Sequence, residues 1–157
     1  MLSARPGDLS DPRRIVDRYI DGTRLRLRRI SVAGPAVYKL GQKVRPDEND
    51  PSSVLLTNMY LTAGEYEQLL GLPFAEVRKT RYSLEAGGTQ YAVDVFEGRL
   101  EGLVLAESDF GEDTVHEPPP LAGVIAEVTT DNRFSGGTLA RTDKDGLWAL
   151  LSSFGIT

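Results

Sequence analysis

Hydrophobic and polar residues alternate with a period of two along most of the chain, which predicts half-buried β-strands. The pairs Asp21-Gly22 and Gly87-Gly88 are short turn signals between such segments and favour hairpins. The predicted strands are residues 15–20, 23–31, 36–43, 54–61, 76–84, 90–97, 102–110 and 123–128. Many strands joined by short loops predict a mainly β (α+β) fold: an antiparallel sheet that closes or nearly closes into a barrel, with a few peripheral helices.

Two helices interrupt the strand pattern. Thr62 and Glu65 have the spacing of a capping box at a helix start, and Gly71 with Pro73 ends that helix. A second helix is predicted over residues 144–153, where large apolar residues cover most of the surface. These are Leu147, Trp148, Leu150, Leu151 and Phe154, and we expect them to pack in the core.

Two polar segments carry turn-forming residues. Residues 129–140, TTDNRFSGGTLA, predict an irregular connection. Its glycines are a weak candidate for a phosphate loop, because no Lys-Ser or Lys-Thr pair follows them. Residues 113–121, DTVHEPPPL, predict a stiff exposed connection rather than a domain linker, since the strand pattern resumes soon afterwards.

The composition is that of an ordinary globular protein of 157 residues, with 18 basic residues, 23 acidic residues and a net charge of −5. This length suits one compact domain over residues 1–157. The acidic total disfavours general nucleic-acid binding, which depends on neutralising phosphates. No apolar run approaches a membrane span and the first residues lack a signal peptide's apolar segment, so we expect a cytoplasmic protein.

The chain has no cysteine, and His116 is its only histidine. The lack of cysteine excludes disulfides, thiolate catalysis and cysteine-ligated metals. A single histidine excludes any site that needs two. The remaining candidate chemistry therefore rests on carboxylates, lysines and arginines.

Arginines occupy alternate positions in the segment TRLRLRR, at Arg24, Arg26 and Arg28, with Leu25 and Leu27 between them. Residues two apart on a strand share a face, so the three guanidinium groups are predicted to project together. A solvated face over a leucine core is the simpler interpretation for one such strand. Basic residues that share a face also occur in other predicted strands, and this recurrence weakens the solvated-face interpretation.

Basic residues also share a face in two other predicted strands: Lys39 with Lys43, which are four positions apart, and Lys79 with Arg81, which are two apart. In a barrel only one face points inward. Basic faces turned inward would repel one another unless an anion or acidic side chains lay between them. A lipocalin-like barrel, the alternative for a small-molecule binder, predicts an apolar lumen instead.

The acidic counterpart lies near the predicted strand 102–110. Glu107 and Asp109 share one face, and Asp94 could approach them from the preceding strand. Paired carboxylates can hold a hard divalent cation such as magnesium, although an exposed edge strand is the simpler interpretation of this spacing alone.

Taken in order, five of these segments resemble the CYTH superfamily, also called triphosphate tunnel metalloenzymes. The segments are VDRYIDGTRLRLRR, VYKLGQK, EVRKTRY, YAVDVFEGRLEGLVLAESDF and EVTTDNRFSGGTLA. The resemblance implies an eight-stranded antiparallel tunnel barrel. In that family basic residues grip a triphosphate and acidic residues bind magnesium or manganese.

The resemblance also implies roles for individual residues. The residues that would bind triphosphate are Arg24, Arg26, Arg28, Lys39, Lys79, Arg81 and Arg133. Those that would bind Mg²⁺ or Mn²⁺ are Glu107, Asp109 and Asp94. Glu107, Asp109 and Lys39 would be catalytic. The implied activity is metal-dependent hydrolysis of a phosphoanhydride bond in inorganic triphosphate or a nucleoside or organic triphosphate.

The chain departs from the family at its first residues. The family's first strand carries a glutamate-x-glutamate-x-lysine motif, whereas the residues before Asp17 include no glutamate. We expect that half of the metal site is lost or, as we favour, that the recorded start lies inside the original first strand. The alternatives are a non-catalytic polyphosphate- or nucleotide-binding module and an adenylate cyclase, with a homodimer possible for any of them.

Overall fold

The computed structural model of the chain describes residues 1–3, 5–44, 55–108 and 121–156. The strands of this described part are β1 (Ser10–Ile20), β2 (Leu25–Ser31), β3 (Val37–Val44), β4 (Leu55–Leu61), β5 (Phe74–Ala86), β6 (Thr89–Phe96) and β7 (Val104–Glu107). Its helices are α1 (Ala63–Leu69), α2 (Gly136–Leu139) and α3 (Lys144–Ser152). Short 3-10 turns cover Gly98–Leu100 and Asn132–Phe134.

The strands form one sheet in the order β4-β3-β2-β1-β5-β6-β7. Pairing is antiparallel from β1 to β4 and from β5 to β7. The prediction of a mainly β, antiparallel fold is therefore confirmed. Within the described residues the sheet has seven strands and hydrogen bonds do not close it, so closure into an eight-stranded barrel stays a prediction.

Both predicted hairpin turns are present. β5 and β6 are joined by Gly87 and Gly88, with φ of 59° and 79°. A two-residue turn with positive φ at both positions matches the twist of the flanking strands, and glycine adopts it without steric cost. Gly22, with φ of 71°, lies in the connection between β1 and β2. These turns place β1 against β2 and β5 against β6.

The predicted strand 123–128 is wrong: the structure has one isolated bridge there, between Leu2 and Val124. The backbone of this segment bonds instead to the first residues of the chain. Ser3 N–H donates to the Gly123 carbonyl at 2.9 Å, and Ile125 N–H donates to the Met1 carbonyl at 3.0 Å. Alternation is present in the sequence, but these bonds span too few positions to form a ladder.

The segment 129–140 is more regular than predicted, because it contains a 3-10 turn and α2. The Asp131 side chain accepts from Arg133 N–H, and the Ser135 hydroxyl accepts from Thr138 N–H. Such caps satisfy backbone amides at a helix start. Phe134 is buried and anchors the segment.

The capping box predicted for α1 is confirmed. Glu65 N–H donates to the Thr62 hydroxyl at 3.2 Å, and Thr62 N–H donates to Glu65 Oε2 at 2.7 Å. The predicted helix at 144–153 is also confirmed, as α3. The prediction that Trp148 packs in the core is wrong, since this residue is 42% exposed. The buried face of α3 is narrower than predicted and consists of Leu147, Leu150 and Leu151.

The structure divides into two compact units. Unit 1 comprises Met1–Arg13, Lys79–Glu127 and Asp143–Thr157, and unit 2 comprises Arg14–Arg78 and Val128–Thr142. The core of unit 1 contains Leu2, Leu84, Tyr91, Val93 and Val104. Buried residues of unit 2 include Ile15, Leu27, Tyr66, Val77 and Leu139. The single-domain prediction for residues 1–157 stays a prediction.

Asp109 and His116 lie outside the described residues. Among the residues that are described, none belongs to a helix long and apolar enough to cross a membrane.

Candidate functional site

The first group of predicted site residues lies on β1 and β2 in unit 2. In the antiparallel register Asp17 is directly opposite Arg28, and Tyr19 is opposite Arg26. Side chains of directly opposed residues point to the same face. We call these four residues the Asp17 cluster. Leu27, between the two arginines, points to the other face and is buried.

A bidentate ion pair orders the Asp17 cluster. Arg28 donates from Nε to Asp17 Oδ1 and from Nη2 to Asp17 Oδ2, both at 2.6 Å. Asp17 is 1% exposed, and Arg26 Nε lies 3.8 Å from its Oδ1 atom. Two guanidinium charges thus face one carboxylate, so the cluster carries an excess of positive charge. Such a face attracts anions.

Two glycines lie beside side chains of the Asp17 cluster, and one of them makes room for its tyrosine. A Cβ atom on Gly41 of β3 would lie 2.7 Å from Asn58 Oδ1 and 3.4 Å from Arg26 Nη2, so the Arg26 guanidinium lies near the β3 backbone. The Tyr19 hydroxyl lies where a Cβ atom of Gly136 would be. Burial, helped by the charge of Asp17, raises the pKa of Tyr19 to about 12, so the phenol is protonated at neutral pH. Packing against Tyr19 therefore explains why residue 136 is a glycine, and a phosphate loop is not needed to explain it.

Lys39 lies on the same face of the sheet as the Asp17 cluster. In the register of β2, β3 and β4, Lys39 is opposite Arg28 on one side and Tyr60 on the other. Its Nζ atom is 4.8 Å from the centroid of the Tyr60 ring. A lysine ammonium over an aromatic face gains a modest electrostatic attraction. Lys39 therefore adds a third cation to this face.

The second group of predicted site residues lies on β5, β6 and β7 in unit 1. Arg81 is directly opposite Asp94 and donates to it from Nε and Nη2, both at 2.7 Å. Lys79 Nζ donates to Asp94 Oδ2 at 2.5 Å. Arg81 Nη2 also donates to Glu107 Oε2 at 3.1 Å. We call these four residues the Asp94 cluster.

Burial and pairing act in opposite directions on the carboxylate of the Asp94 cluster. Burial alone raises the pKa of Asp94, which is 1% exposed. Hydrogen bonds from Arg81 and the charges of Lys79 and Arg81 outweigh that effect and lower the pKa of Asp94 below its ordinary value. Asp94 is therefore ionised at neutral pH. The cluster holds two cations and two carboxylates and is balanced in charge.

The Asp94 cluster fits a metal ion only in part. Magnesium and manganese take oxygen ligands, commonly one or two carboxylates. Asp94 does not fit that role in this arrangement, because its two oxygens accept three hydrogen bonds from Arg81 and Lys79. Glu107 does fit, as a carboxylate with a 59% exposed side chain. In the described ranges no group of three or more acidic or histidine side chains could hold a metal.

Two of the predicted phosphate ligands lie apart from the strand faces. The predicted strand 23–31 begins only at Leu25, because the Thr23 hydroxyl donates to the Ile20 carbonyl and accepts from Leu25 N–H. Arg24 is therefore in the turn, and it is exposed. Arg133 lies in a 3-10 turn with its side chain 54% exposed and binds Asp131, with Nη2 to Oδ2 at 2.6 Å. Their roles in phosphate binding stay predictions.

Asp17 and Tyr19 were not identified as site residues from the sequence. The available signal was positional: both lie on the strand before the arginine strand, and the Asp21-Gly22 turn folds one against the other. A register derived from that turn would have placed Asp17 opposite an arginine. The burial of its carboxylate needed the tertiary structure.

Comparison with known proteins identifies similar sequences and folds. No protein-family model matches the chain. The inorganic triphosphatase of Nitrosomonas europaea (strain ATCC 19718 / CIP 103999 / KCTC 2705 / NBRC 14298) is 43% identical over 68 residues, which are 41% of this chain and 44% of that protein. The match therefore spans less than half the length of this curated relative.

Two solved structures are similar over most of the chain. One is described as the hypothetical protein NE1496, with a TM-score of 0.56 and 26% identity over 90% of this chain and 94% of that one. The other is described as the inorganic triphosphatase NE1496, with a TM-score of 0.55 and 26% identity over 88% and 89% of the two chains. This chain is therefore similar to an inorganic triphosphatase, in sequence over part of its length and in fold over most of it.

Proposed function

We propose that this chain is a member of the CYTH superfamily that hydrolyses a triphosphate, with inorganic triphosphate as the first substrate to test. The observation that carries the proposal is the cationic face of Arg26, Arg28 and Lys39, in which a buried aspartate holds Arg28 by two hydrogen bonds. The similarity to an inorganic triphosphatase supports the same substrate class. A cationic face and a fold similar to that of an inorganic triphosphatase both support triphosphate hydrolysis.

The basic residues bind the phosphates and offset their charge. Arg26, Arg28 and Arg81 each present a planar guanidinium, which can engage two phosphate oxygens at once. Lys39 and Lys79 add compact charges. Cations held near the transferred phosphoryl group stabilise charge in the transition state. Water is the nucleophile, a phosphoanhydride bond breaks, and inorganic triphosphate yields diphosphate and phosphate.

We also propose that the reaction depends on Mg²⁺ or Mn²⁺, held by Glu107 and Asp109. The fit of an exposed Glu107 carboxylate to a hard cation supports this assignment. When bound, such a metal supplies charge stabilisation and orients water. Arg81, which donates to Glu107, would fix the direction of that carboxylate.

A binding module without catalytic activity is the second candidate. One observation favours it: the described residues include no group of three acidic or histidine side chains that could hold a metal. Such a module would keep the cationic face and bind polyphosphate or nucleotide. It would release no phosphate.

Phosphate release distinguishes the two candidates. We expect the purified chain to hydrolyse inorganic triphosphate when magnesium or manganese is added, and ATP serves as the competing substrate. Triphosphate binding is measured separately by calorimetry in EDTA. Binding without hydrolysis would support the module. A chain that neither binds nor hydrolyses any triphosphate would contradict both candidates.

Glu107→Gln should lower the metal-dependent rate about tenfold or more, because even outer-shell partners of metal ligands commonly cost that much. Triphosphate affinity in EDTA should stay near that of the wild type, since no metal is involved there. Glu101→Gln is the matched control, because Glu101 is an exposed glutamate in the same unit. Equal rates for the two variants would show that Glu107 does not bind the metal.

A further inference from the structure

The two clusters repeat one cross-strand arrangement. In each, a buried aspartate lies directly opposite an arginine of the neighbouring antiparallel strand. That arginine donates from both Nε and Nη2 to the two carboxylate oxygens. Asp17 with Arg28 and Asp94 with Arg81 are the two pairs. Each pair lies within its own unit.

The repeat extends to the residues two positions away. The second cation precedes the arginine by two positions, and an aromatic residue opposite that cation follows the aspartate by two positions. The second cations are Arg26 and Lys79, and the aromatic residues are Tyr19 and Phe96. Lys79 Nζ lies 5.4 Å from the centroid of the Phe96 ring. The same pattern of aspartate, arginine, second cation and aromatic residue thus occurs on β1 and β2 and again on β5 and β6, where Phe96 lies next to the Asp94 cluster.

The pairing fixes the direction of each guanidinium group. A single hydrogen bond leaves a planar guanidinium free to rotate, whereas two parallel bonds set both its plane and its direction. Asp17 and Asp94 are each 1% exposed, so neither carboxylate is accessible to a ligand from solvent. A buried ion pair is weak evidence for a purely stabilising role, because desolvation offsets much of its attraction. Orientation of the arginine is the role that this geometry suits.

The surroundings of Asp94 argue against direct metal binding. Lys79 Nζ and the Arg81 guanidinium already contact both carboxylate oxygens at 2.5–2.7 Å. A divalent ion at these oxygens would have to break their hydrogen bonds to Lys79 and Arg81. The two side-chain cations would then lie close to the ion and repel it. Asp17 has the same pairing with its arginine, in a cluster for which no metal role is predicted. The shared geometry therefore suggests a shared role.

We propose that Asp17 and Asp94 are equivalent positioning residues, which hold Arg28 and Arg81 in the orientation that triphosphate binding requires. Asp94 acts through Arg81 and Lys79 and is not a metal ligand. This inference rests on the proposed function, because it concerns the phosphate-binding arginines of that site.

The test measures triphosphate binding without metal. Asp17→Asn and Asp94→Asn keep side-chain shape but remove the charge and one of the two acceptor oxygens. By calorimetry in EDTA, each variant should bind inorganic triphosphate about tenfold more weakly than the wild type, because charge-assisted hydrogen bonds are lost. Asp8→Asn, at an exposed position, is the control and should bind as the wild type does.

Two comparisons separate a positioning role from other roles. Asp17→Asn should have little further effect in an Arg28→Gln background, whereas a general structural defect would weaken binding equally in both backgrounds. Asp94→Asn should leave Mn²⁺ affinity, measured calorimetrically, unchanged. If Asp94→Asn instead weakens Mn²⁺ binding and leaves metal-free triphosphate affinity unchanged, Asp94 is a metal ligand and its positioning role is overturned.

The wild-type protein supplies a test that does not depend on folded variants. In arginine side-chain NMR spectra of the ligand-free protein, the Nε–H protons of Arg28 and Arg81 should exchange with water much more slowly than that of exposed Arg29. Equal exchange rates would overturn the proposal. If the wild type hydrolyses triphosphate but both asparagine variants bind it normally, only the positioning roles fail. If the wild type binds no triphosphate, the proposed function fails together with the positioning roles.

Discussion

Replacing Arg81 by alanine should lower the free energy of unfolding by about 3 kcal/mol at neutral pH, because it leaves a buried carboxylate without its bidentate partner. Asp94 is 1% exposed and, of its hydrogen bonds to described residues, would keep the one from Lys79. Urea unfolding followed by circular dichroism measures the change. Arg78→Ala on the same strand is the control, because Arg78 has a 57% exposed side chain. Its exposed ion pair should be worth about 0–1 kcal/mol.

Lowering the pH should reduce the loss of unfolding free energy that Arg81→Ala causes. Arg81 lowers the pKa of Asp94 in the folded protein, so the stability that this pair contributes is complete above the ordinary carboxyl pKa of about 4. That stability is lost as pH falls through the lowered pKa of Asp94. The difference between wild type and variant should therefore narrow below about pH 4. A difference that is small at neutral pH, or that widens in acid, would contradict the assignment.

Replacing Arg28 by alanine should raise the dissociation constant for inorganic triphosphate by about tenfold or more, since a charged hydrogen-bonding partner of the phosphates is lost. Calorimetry in EDTA measures this affinity without metal. The variant also leaves Asp17 buried with Arg26 Nε at 3.8 Å as its remaining guanidinium contact on β2. Its fold is therefore checked by circular dichroism at the temperature of the titration.

Arg29→Ala is the matched control for Arg28→Ala. It removes the same charge from the same strand, but neighbouring side chains on a strand point to opposite faces. Its affinity should stay within about twofold of the wild type, because a distant charge is screened by salt. Equal losses in the two variants would mean that net charge, rather than the face carrying Arg28, determines binding.

Most strands could be predicted from the sequence because their signals are local. Period-two alternation identified the segments of β1 to β7, and the glycine pair between β5 and β6 identified a hairpin. The capping box at Thr62 and Glu65 is local as well. Interactions within a few residues determine such features, so a single sequence contains them.

The errors arose where distant contacts decide the structure. Alternation over residues 123–128 did not form a strand, because its bonding partners are a few residues around Met1 and Ser3. Trp148 lies outside the buried face of α3, which depends on what packs against that helix. The number of strands and the packing of a helix face are tertiary properties.

The sequence by itself determined which basic residues share a face. Arg26 with Arg28, and Lys79 with Arg81, are two apart on strands, and the geometry of an extended chain directs such side chains to the same side. Only the tertiary structure decided that the carboxylates these residues meet are buried. Cross-strand register brings Asp17 opposite Arg28 and Asp94 opposite Arg81, and packing buries both carboxylates. The hairpin turns set this register locally, whereas desolvation of the two carboxylates depends on segments far apart in the chain, and no local pattern encodes it.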